Sequence, residues 1–424
     1  MERAEVLIAG SGVVGSAIAC ALAERGVRDV CVVDLDLAGR YASSELNAGG
    51  ARATWWQEVN IAACRDTLAF FAEHAAELSF RRTGYLWLYA DPALFARARE
   101  RRALQERLGV RVDPLEPSEV TRRFPLVDRN LEELLGATLS PGDGLLNPNA
   151  LRRLYQDRAI AGGARFLQRH YLEAIDVSEH APGVRAVERV HFAEVAKGDP
   201  ADESRVIEHI LTQHGVDPDA TLGHVSIRPE IFVNALGAWS PLVSAKLGAR
   251  SFAEPVRRQI SILDVRARDL PAGVDLHAGP MIVDASGLYF HPEGPYTLAG
   301  YSNADEPTGY RFDYDGDEFF EREIWPRLAH RCSAFERCHH VRGWAGLYSV
   351  TPDCSGILGR VAGIANAFEA HSFTGRGVMQ SRAVGRGVAE LICDGGFRAL
   401  DLSPLSPARF LGPRERWLNE DLHI

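Results

Sequence analysis

Three glycines and one carboxylate carry the clearest chemistry in this chain. Gly10, Gly12 and Gly15 stand in G-x-G-x-x-G spacing, and Asp34 follows about 20 residues on. Gly10 permits a sharp turn, Gly12 lets backbone amides approach a pyrophosphate, and Gly15 lets a helix close on a strand. Free amides at the helix start hold negative charge, and a carboxylate placed like Asp34 takes a ribose hydroxyl. The chemistry is dinucleotide binding, with NAD and FAD equally compatible. Cys332, Cys338, His339 and His340 also cluster, but their spacing fits no common zinc pattern, so no metal site is expected. Neither a G-x-S-x-G elbow nor a G-x-x-x-x-G-K-[ST] loop occurs, which removes the usual signatures of serine hydrolases and nucleoside triphosphatases.

The elements that must position these residues follow from the pattern. Residues 6–9 and 30–33 are apolar runs that read as strands flanking a helix. A small-residue loop at 41–52, with Ser43, Ser44, Asn47, Gly49 and Gly50, suits phosphates or a ring system. Helices are expected at 60–77, 92–108 behind an Asp91 cap, and 147–161, with a strand at 84–90 and short strands at 165–167, 172–177 and 190–195. Between 190 and 228 the pattern loosens into a polar stretch at 198–203 and an amphipathic segment at 206–214. It reads as a surface insertion, either decoration or a contact surface for another protein. A strand at 230–236 ends in NALGAW, where Gly237 lets the turn approach a ligand. Short runs between 255 and 301, punctuated by Gly and Pro, predict an antiparallel sheet separate from the nucleotide unit. Glycine-punctuated loops at 344–359 and 369–379 precede a closing helix at 381–392.

A chain of 424 residues with 46% hydrophobic content has room for two or three domains. Its formal charge of -10 argues against a nucleic-acid partner, which needs a basic surface. Lys197 and Lys246 are the only lysines, so Schiff-base chemistry is disfavoured. Seven scattered cysteines, an odd number, read as reduced thiols in a cytoplasmic protein. Residues 6–23 carry no charge, yet their spaced glycines and the preceding Glu2, Arg3 and Glu5 argue against a membrane span or signal peptide.

GSGVVG with Asp34, the SSELNAGGAR loop, NALGAW, GLYSVTPD at 346–353 and SFTGRGVMQ at 372–380 occur in that order. Together they resemble the D-amino-acid oxidase superfamily of flavoproteins, most of all its sarcosine oxidase and dimethylglycine dehydrogenase group. The resemblance spans residues 5–393 and implies an α/β fold: a Rossmann-like FAD-binding domain and a second, mostly antiparallel substrate domain, in the glutathione-reductase-2 arrangement. The FAD-binding domain would comprise 1–90, 146–189, 229–250 and 340–395, and the substrate domain 91–145 and 251–339. The insertion at 190–228 and a tail at 396–424 complete the chain.

The same resemblance places the cofactor. Gly10, Gly12, Val13, Val14 and Gly15 would hold the FAD pyrophosphate, Asp34 the ribose, and Ser43, Ser44, Asn47, Ala48, Gly49 and Gly50 the phosphates and ring edge. Leu172 would touch adenine, and Ala235, Gly237 and Trp239 would pass alongside the cofactor. Gly346, Leu347 and Tyr348, with Gly375, Arg376, Gly377, Val378 and Met379, would surround the isoalloxazine. The implied reaction takes a hydride from the carbon beside the nitrogen of a small, secondary or N-methyl amino acid, and the resulting imine hydrolyses. A 2-hydroxy-acid oxidase on the same fold, or an accessory protein with a structural FAD, are the alternatives. Arginine is the residue type that grips a substrate carboxylate bidentately. Arg52 is the first candidate, followed by Arg376 and Arg258; Tyr289, His291 and Tyr301 are candidates for positioning an amine. Monomeric sarcosine oxidases attach flavin through a cysteine where this chain has Gly346, so FAD is expected to be noncovalent. They also carry a lysine where this chain has Met379, which turns expectation from dioxygen towards another electron acceptor.

Overall fold

The apolar run at the start of the chain is paired on both sides. The computed structural model describes residues 2–199 and 202–422. Glu2–Ala9 lies between Val30–Val33 and Thr221–Asn234 and is parallel to both, with Val6 opposite Val30 and Ile231. Ala367–His371 pairs in parallel outside Thr221–Asn234, Ile357–Arg360 runs antiparallel beyond it, and Arg165–Leu167 closes the other edge. Parallel strands covered on both faces need unbroken apolar sequence, and Val6, Leu7, Ile8 and all of Val30–Val33 are buried.

Two helices cover one face of this sheet. Val13–Glu24 packs on Gly377–Cys393, and Gly385 makes the close approach possible, since a Cβ there would stand 2.6 Å from the Ala17 carbonyl oxygen. The closing helix therefore begins at Gly377, four residues before the sequence pattern suggests.

The second sheet has eight strands in the order His339–Val350, Glu254–Asp264, Tyr296–Tyr301, Leu288–Glu293, Met281–Val283, Tyr85–Tyr89, Gly136–Ser140 and Asp113–Leu115. Every pairing is antiparallel except that of Met281–Val283 with Tyr85–Tyr89. Alternation gives it two faces. Leu86, Phe290 and Ala299 pack with Ile324 and Leu328, whereas Tyr85, Trp87 and Tyr289 share an aromatic cluster on the other side.

Several sequence expectations shift. The sheets cut the chain elsewhere than at residues 90 and 340, because Tyr85–Tyr89 and His339–Val350 both run in the second sheet. Residues 344–350, read as a glycine loop, are strand: Gly346 lies opposite Arg258 in register and its neighbours alternate in burial. The helix expected at 60–77 spans Glu58–Glu73 and breaks at His74 before a short turn, Ala75–Leu78.

The supposed insertion is largely scaffold. His170–Ala181, Val184–Val195 and Thr221–Asn234 form an antiparallel layer continuous with the first sheet, with Val190 opposite Ile227. Their long polar overhang hid that continuity. The helix Glu203–Gln213 folds back between them and buries Ile207 and Ile210 against Leu35 and Val195. Residues 200 and 201 of the polar stretch lie outside the described residues.

The tail returns across the molecule. The Glu420 carboxylate accepts the Trp56 amide at 3.1 Å, the Gln57 amide at 3.1 Å and Asn60 Nδ2 at 3.0 Å. Leu422, 4% exposed, enters the cluster of Trp56, Tyr85, Trp87 and Met281. Among the described residues no helix is long and apolar enough to cross a membrane, and no group of His, Cys, Asp or Glu is arranged for a metal. All seven cysteines are free.

Candidate active site

A long cavity starts at the glycine turn. A Cβ on Gly10 would stand 2.4 Å from the Ala235 carbonyl oxygen, and one on Gly15 would stand 1.9 Å from that of Gly10, so packing alone demands both glycines. Gly12 differs: a Cβ there would meet nothing nearer than Ser44 Oγ at 3.8 Å. Its bare backbone faces the cavity, and it gives the helix no side-chain cap of its own; Ser44 Oγ accepts the Val13 amide at 3.4 Å, and the other amides of the first turn remain for an anion. Asp34 lines the same cavity, held by the Ser11 amide at 2.6 Å and the Ser11 hydroxyl at 2.9 Å. Burial raises the pKa of its carboxyl group, and the Ser11 and Asp36 amides oppose that shift.

The lining brings together Gly10, Gly12, Val13, Val14, Asp34, Ser43, Ser44, Asn47, Leu172, Ala235, Gly237, Trp239, Leu347, Tyr348, Gly375, Gly377 and Val378. Ser43 Oγ donates to the Leu347 carbonyl at 2.5 Å, tying the 41–52 loop to the distant end of the chain. Five other expected residues stand behind the lining. Gly15 packs on the turn and Gly346 on Leu46, while Gly49 abuts Leu146, Gly50 abuts Tyr85 and Ala48 abuts the Tyr289 side of the second sheet.

Sequence reasoning missed Tyr41, His170, Tyr171, Phe192, Ile207, Leu211 and Lys246, which also line the cavity. Ile207 and Leu211 carried a signal, one helical turn apart on an amphipathic segment. The reading of that segment as an insertion obscured it.

Tyr348, in the cavity lining, stands near Tyr85 and Tyr289, which belong to the packed aromatic face of the second sheet. Tyr85, Tyr289 and Tyr348 press their rings against glycines: an added Cβ would stand 2.0 Å from Tyr85 Oη at Gly50, 2.3 Å from Tyr289 Oη at Gly300 and 2.9 Å from Tyr348 Oη at Gly375. None of the three hydroxyls has a hydrogen-bond partner among the described residues. Burial raises the pKa of all three, so they stay neutral phenols. Arg258 places its guanidinium carbon 5.6 Å from the centre of the Tyr348 ring. It donates from Nη1 to the Arg257 carbonyl at 3.1 Å and meets no carboxylate.

The other candidates fall elsewhere. Arg52, 2% exposed, donates to the carbonyls of Thr54 at 3.0 Å and Leu422 at 2.9 Å, with its guanidinium carbon 3.4 Å over Trp55. Desolvation brings its pKa down to about 10. Tyr301 points to the opposite face of its strand, where Arg327 lies 3.9 Å over its ring, so it stands away from the aromatic face and the cavity lining. His291 is buried, bonds the Pro292 carbonyl through Nδ1 at 2.8 Å and stays neutral, since desolvation drives its pKa to about 4. Met379 packs into the main core rather than the cavity lining. Arg376 is fully buried beside the lining glycines.

A glycine turn at the head of a parallel sheet, a buried carboxylate at the next strand end and a second, aromatic-faced sheet beside the far end of one cavity define a dinucleotide-binding α/β protein. The open backbone at Gly12, the free amides of the helix start and Asp34 fit the adenosine diphosphate half of FAD. The chain belongs to the DAO family: the model described as FAD dependent oxidoreductase matches residues 5–391. FAD-dependent oxidoreductase domain-containing protein 1 of Xenopus laevis is 32% identical over 96% of this chain and 83% of its own length. Human mitochondrial dimethylglycine dehydrogenase is 24% identical over 96% of this chain and 44% of its own length. Among solved structures, L-proline dehydrogenase from P. horikoshii superimposes with a TM-score of 0.79 at 24% identity, covering 97% of this chain and 98% of that one. Glycine oxidase from Geobacillus kaustophilus gives 0.75 at 21% identity, covering 97% and 100%. The chain is thus an FAD-dependent oxidoreductase enzyme, and its α/β fold is that of these flavoproteins.

Proposed function

We propose that the protein oxidises the C–N bond of a small, secondary or N-substituted amino acid, with Arg258 gripping the substrate carboxylate. One observation carries this reading: Arg258 has no carboxylate partner, and its guanidinium carbon stands 5.6 Å from the centre of the Tyr348 ring, which lines the cavity. Arg52, the first candidate by sequence, spends its donors on two backbone carbonyls instead. FAD supplies the hydride acceptor. The chain's own residues bind and orient. Arg258 fixes the carboxylate, neutral Tyr85, Tyr289 and Tyr348 offer hydroxyls to the nitrogen, and Trp87, Met281 and Leu422 give an N-alkyl group an apolar wall. Phenols with raised pKa cannot serve as bases near neutral pH, so the amine must arrive unprotonated or lose its proton to water.

The names of several relatives support an amino-acid substrate, among them dimethylglycine dehydrogenase, L-proline dehydrogenase and an iminodiacetate oxidase. FAD is held noncovalently, because Gly346 offers no side chain for attachment. The electrons pass to an acceptor other than dioxygen: Lys246 binds the Glu173 carbonyl at the adenosine end, and Met379 is buried in the core.

The test is anaerobic reduction of the holoenzyme by a panel of N-methyl amino acids, proline, D-amino acids and 2-hydroxy acids, followed by admission of air. Bleaching by a secondary amino acid and slow reoxidation are expected. Bleaching by 2-hydroxy acids alone would replace the substrate, and no bleaching by any amine would overturn the proposal.

A further inference from the structure

Five arginines in the described chain are buried: Arg52, Arg152, Arg257, Arg331 and Arg376. Three meet carboxylates, Arg152 with Glu45, Arg257 with Glu306 at 2.7 Å and Arg331 with Asp284 at 2.6 Å. The other two do not, and both lie over the same indole. Arg52 stands 3.4 Å and Arg376 stands 4.6 Å from the centre of the Trp55 ring. Arg376 is 0% exposed, and Nε, Nη1 and Nη2 all lack a hydrogen-bond partner. No carboxylate pairs directly with Arg376; the Glu420 and Asp353 charges act on it only at longer range, and its three donors are left unmet by the protein. A buried cation held in this way projects positive charge into its surroundings.

A substrate carboxylate cannot reach it. The three nitrogens are sealed by protein atoms, whereas an electrostatic field needs no contact. Arg376 follows Gly375 and precedes Gly377 and Val378, all of which line the cofactor cavity, and it is the N-cap of the helix Gly377–Cys393. Tyr348, also in that lining, has its phenol acted on by the charges of Arg258, Arg52 and Arg376. The positive end of a 17-residue helix points the same way.

We propose that Arg376, paired with Arg52 over Trp55, supplies the buried positive field that stabilises the negative charge gained by the flavin ring on reduction. When the ring takes two electrons and one proton, as a hydride from substrate or from a chemical reductant and water, it gains one negative charge. The arginine field lowers the free energy of that state. The inference depends on the ring lying at the Tyr348 and Gly375 end, and not on the identity of the substrate.

The test is the midpoint potential of the flavin in Arg376→Met, Arg376→Lys and the unaltered holoenzyme, measured with a reporter dye. Arg376→Met is expected to shift the reduced-to-oxidised equilibrium at least tenfold towards oxidised, about 30 mV for a two-electron couple. Sulfite, which adds to flavin where negative charge on the ring is stabilised, should bind Arg376→Met at least tenfold more weakly. Arg376→Lys should hold both values near those of the parent. A purely structural arginine predicts lower thermal stability in Arg376→Met with unchanged potential and sulfite affinity, and that result would overturn the inference. Should Arg376→Met not retain FAD, Arg52→Met carries the same measurements, with a shift in the same direction expected and an unchanged potential again counting against it. Amine oxidation enters neither readout, so failure here leaves the substrate reading intact, and the reverse also holds.

Discussion

At the scale of single residues, the arginines that sequence suggests for one carboxylate clamp separate. Arg258 is half-buried, bonded once to a backbone carbonyl, with Nε buried and unmet; Arg376 is sealed on all three nitrogens. Arg258→Met is therefore expected to raise KM for an amino-acid substrate at least tenfold, the loss of one charge-assisted pair of about 1.5–3 kcal/mol, with little change in flavin potential. Steady-state kinetics and potentiometry on one preparation check both halves of that statement. Gly12 and Asp34 were legible in the sequence because what each requires is local: a bare backbone at a helix start, and a carboxylate at the next strand end. The capture of Arg52 by backbone carbonyls was not legible. The carbonyl that occupies Arg52 belongs to Leu422, and the strand register that aims Arg258 depends on Gly346, so both facts arise only on folding.

At the scale of elements, the helix Glu203–Gln213 changes meaning most. Its amphipathic spacing was plain, yet a loop-rich surrounding made it look like decoration, whereas the structure sets Ile207 and Leu211 in the wall beside Leu172 and Trp239. The Trp239 indole donates to the Leu211 carbonyl at 3.0 Å, which fixes the helix over the adenosine end. Leu211→Ala is expected to weaken FAD binding about tenfold, on the order of 1.4 kcal/mol for partial loss of an apolar wall, while the flavin potential stays put. Titration of the apoprotein with FAD, followed by fluorescence quenching, measures this. The second sheet was legible as short runs between turns. Its outer strands were not, since Tyr85–Tyr89 and His339–Val350 come from segments that sequence proximity assigns to the nucleotide unit.

At the scale of the whole molecule, the tail acts as a tie. Glu420 holds two amides and one side-chain amide at the start of the helix Glu58–Glu73, the Glu420 amide donates to the Asp353 carbonyl at 3.0 Å, and Leu422 reaches Arg52. Glu420→Ala leaves those buried donors unsatisfied and is expected to cost about 2–4 kcal/mol, read as a fall in Tm of the holoenzyme. The same long-range closure has a temporal side. Glu2 pairs with Ile227, Phe232 pairs with Ala367, and the carbonyl that crowds Gly10 belongs to Ala235. As the ribosome extrudes the chain, the walls for the adenosine end, at Asp34, Leu172 and Ala235, emerge well before those for the ring, at Tyr348 and Gly375. On the proposed placement of FAD, the chain thus completes the lining for the ring last.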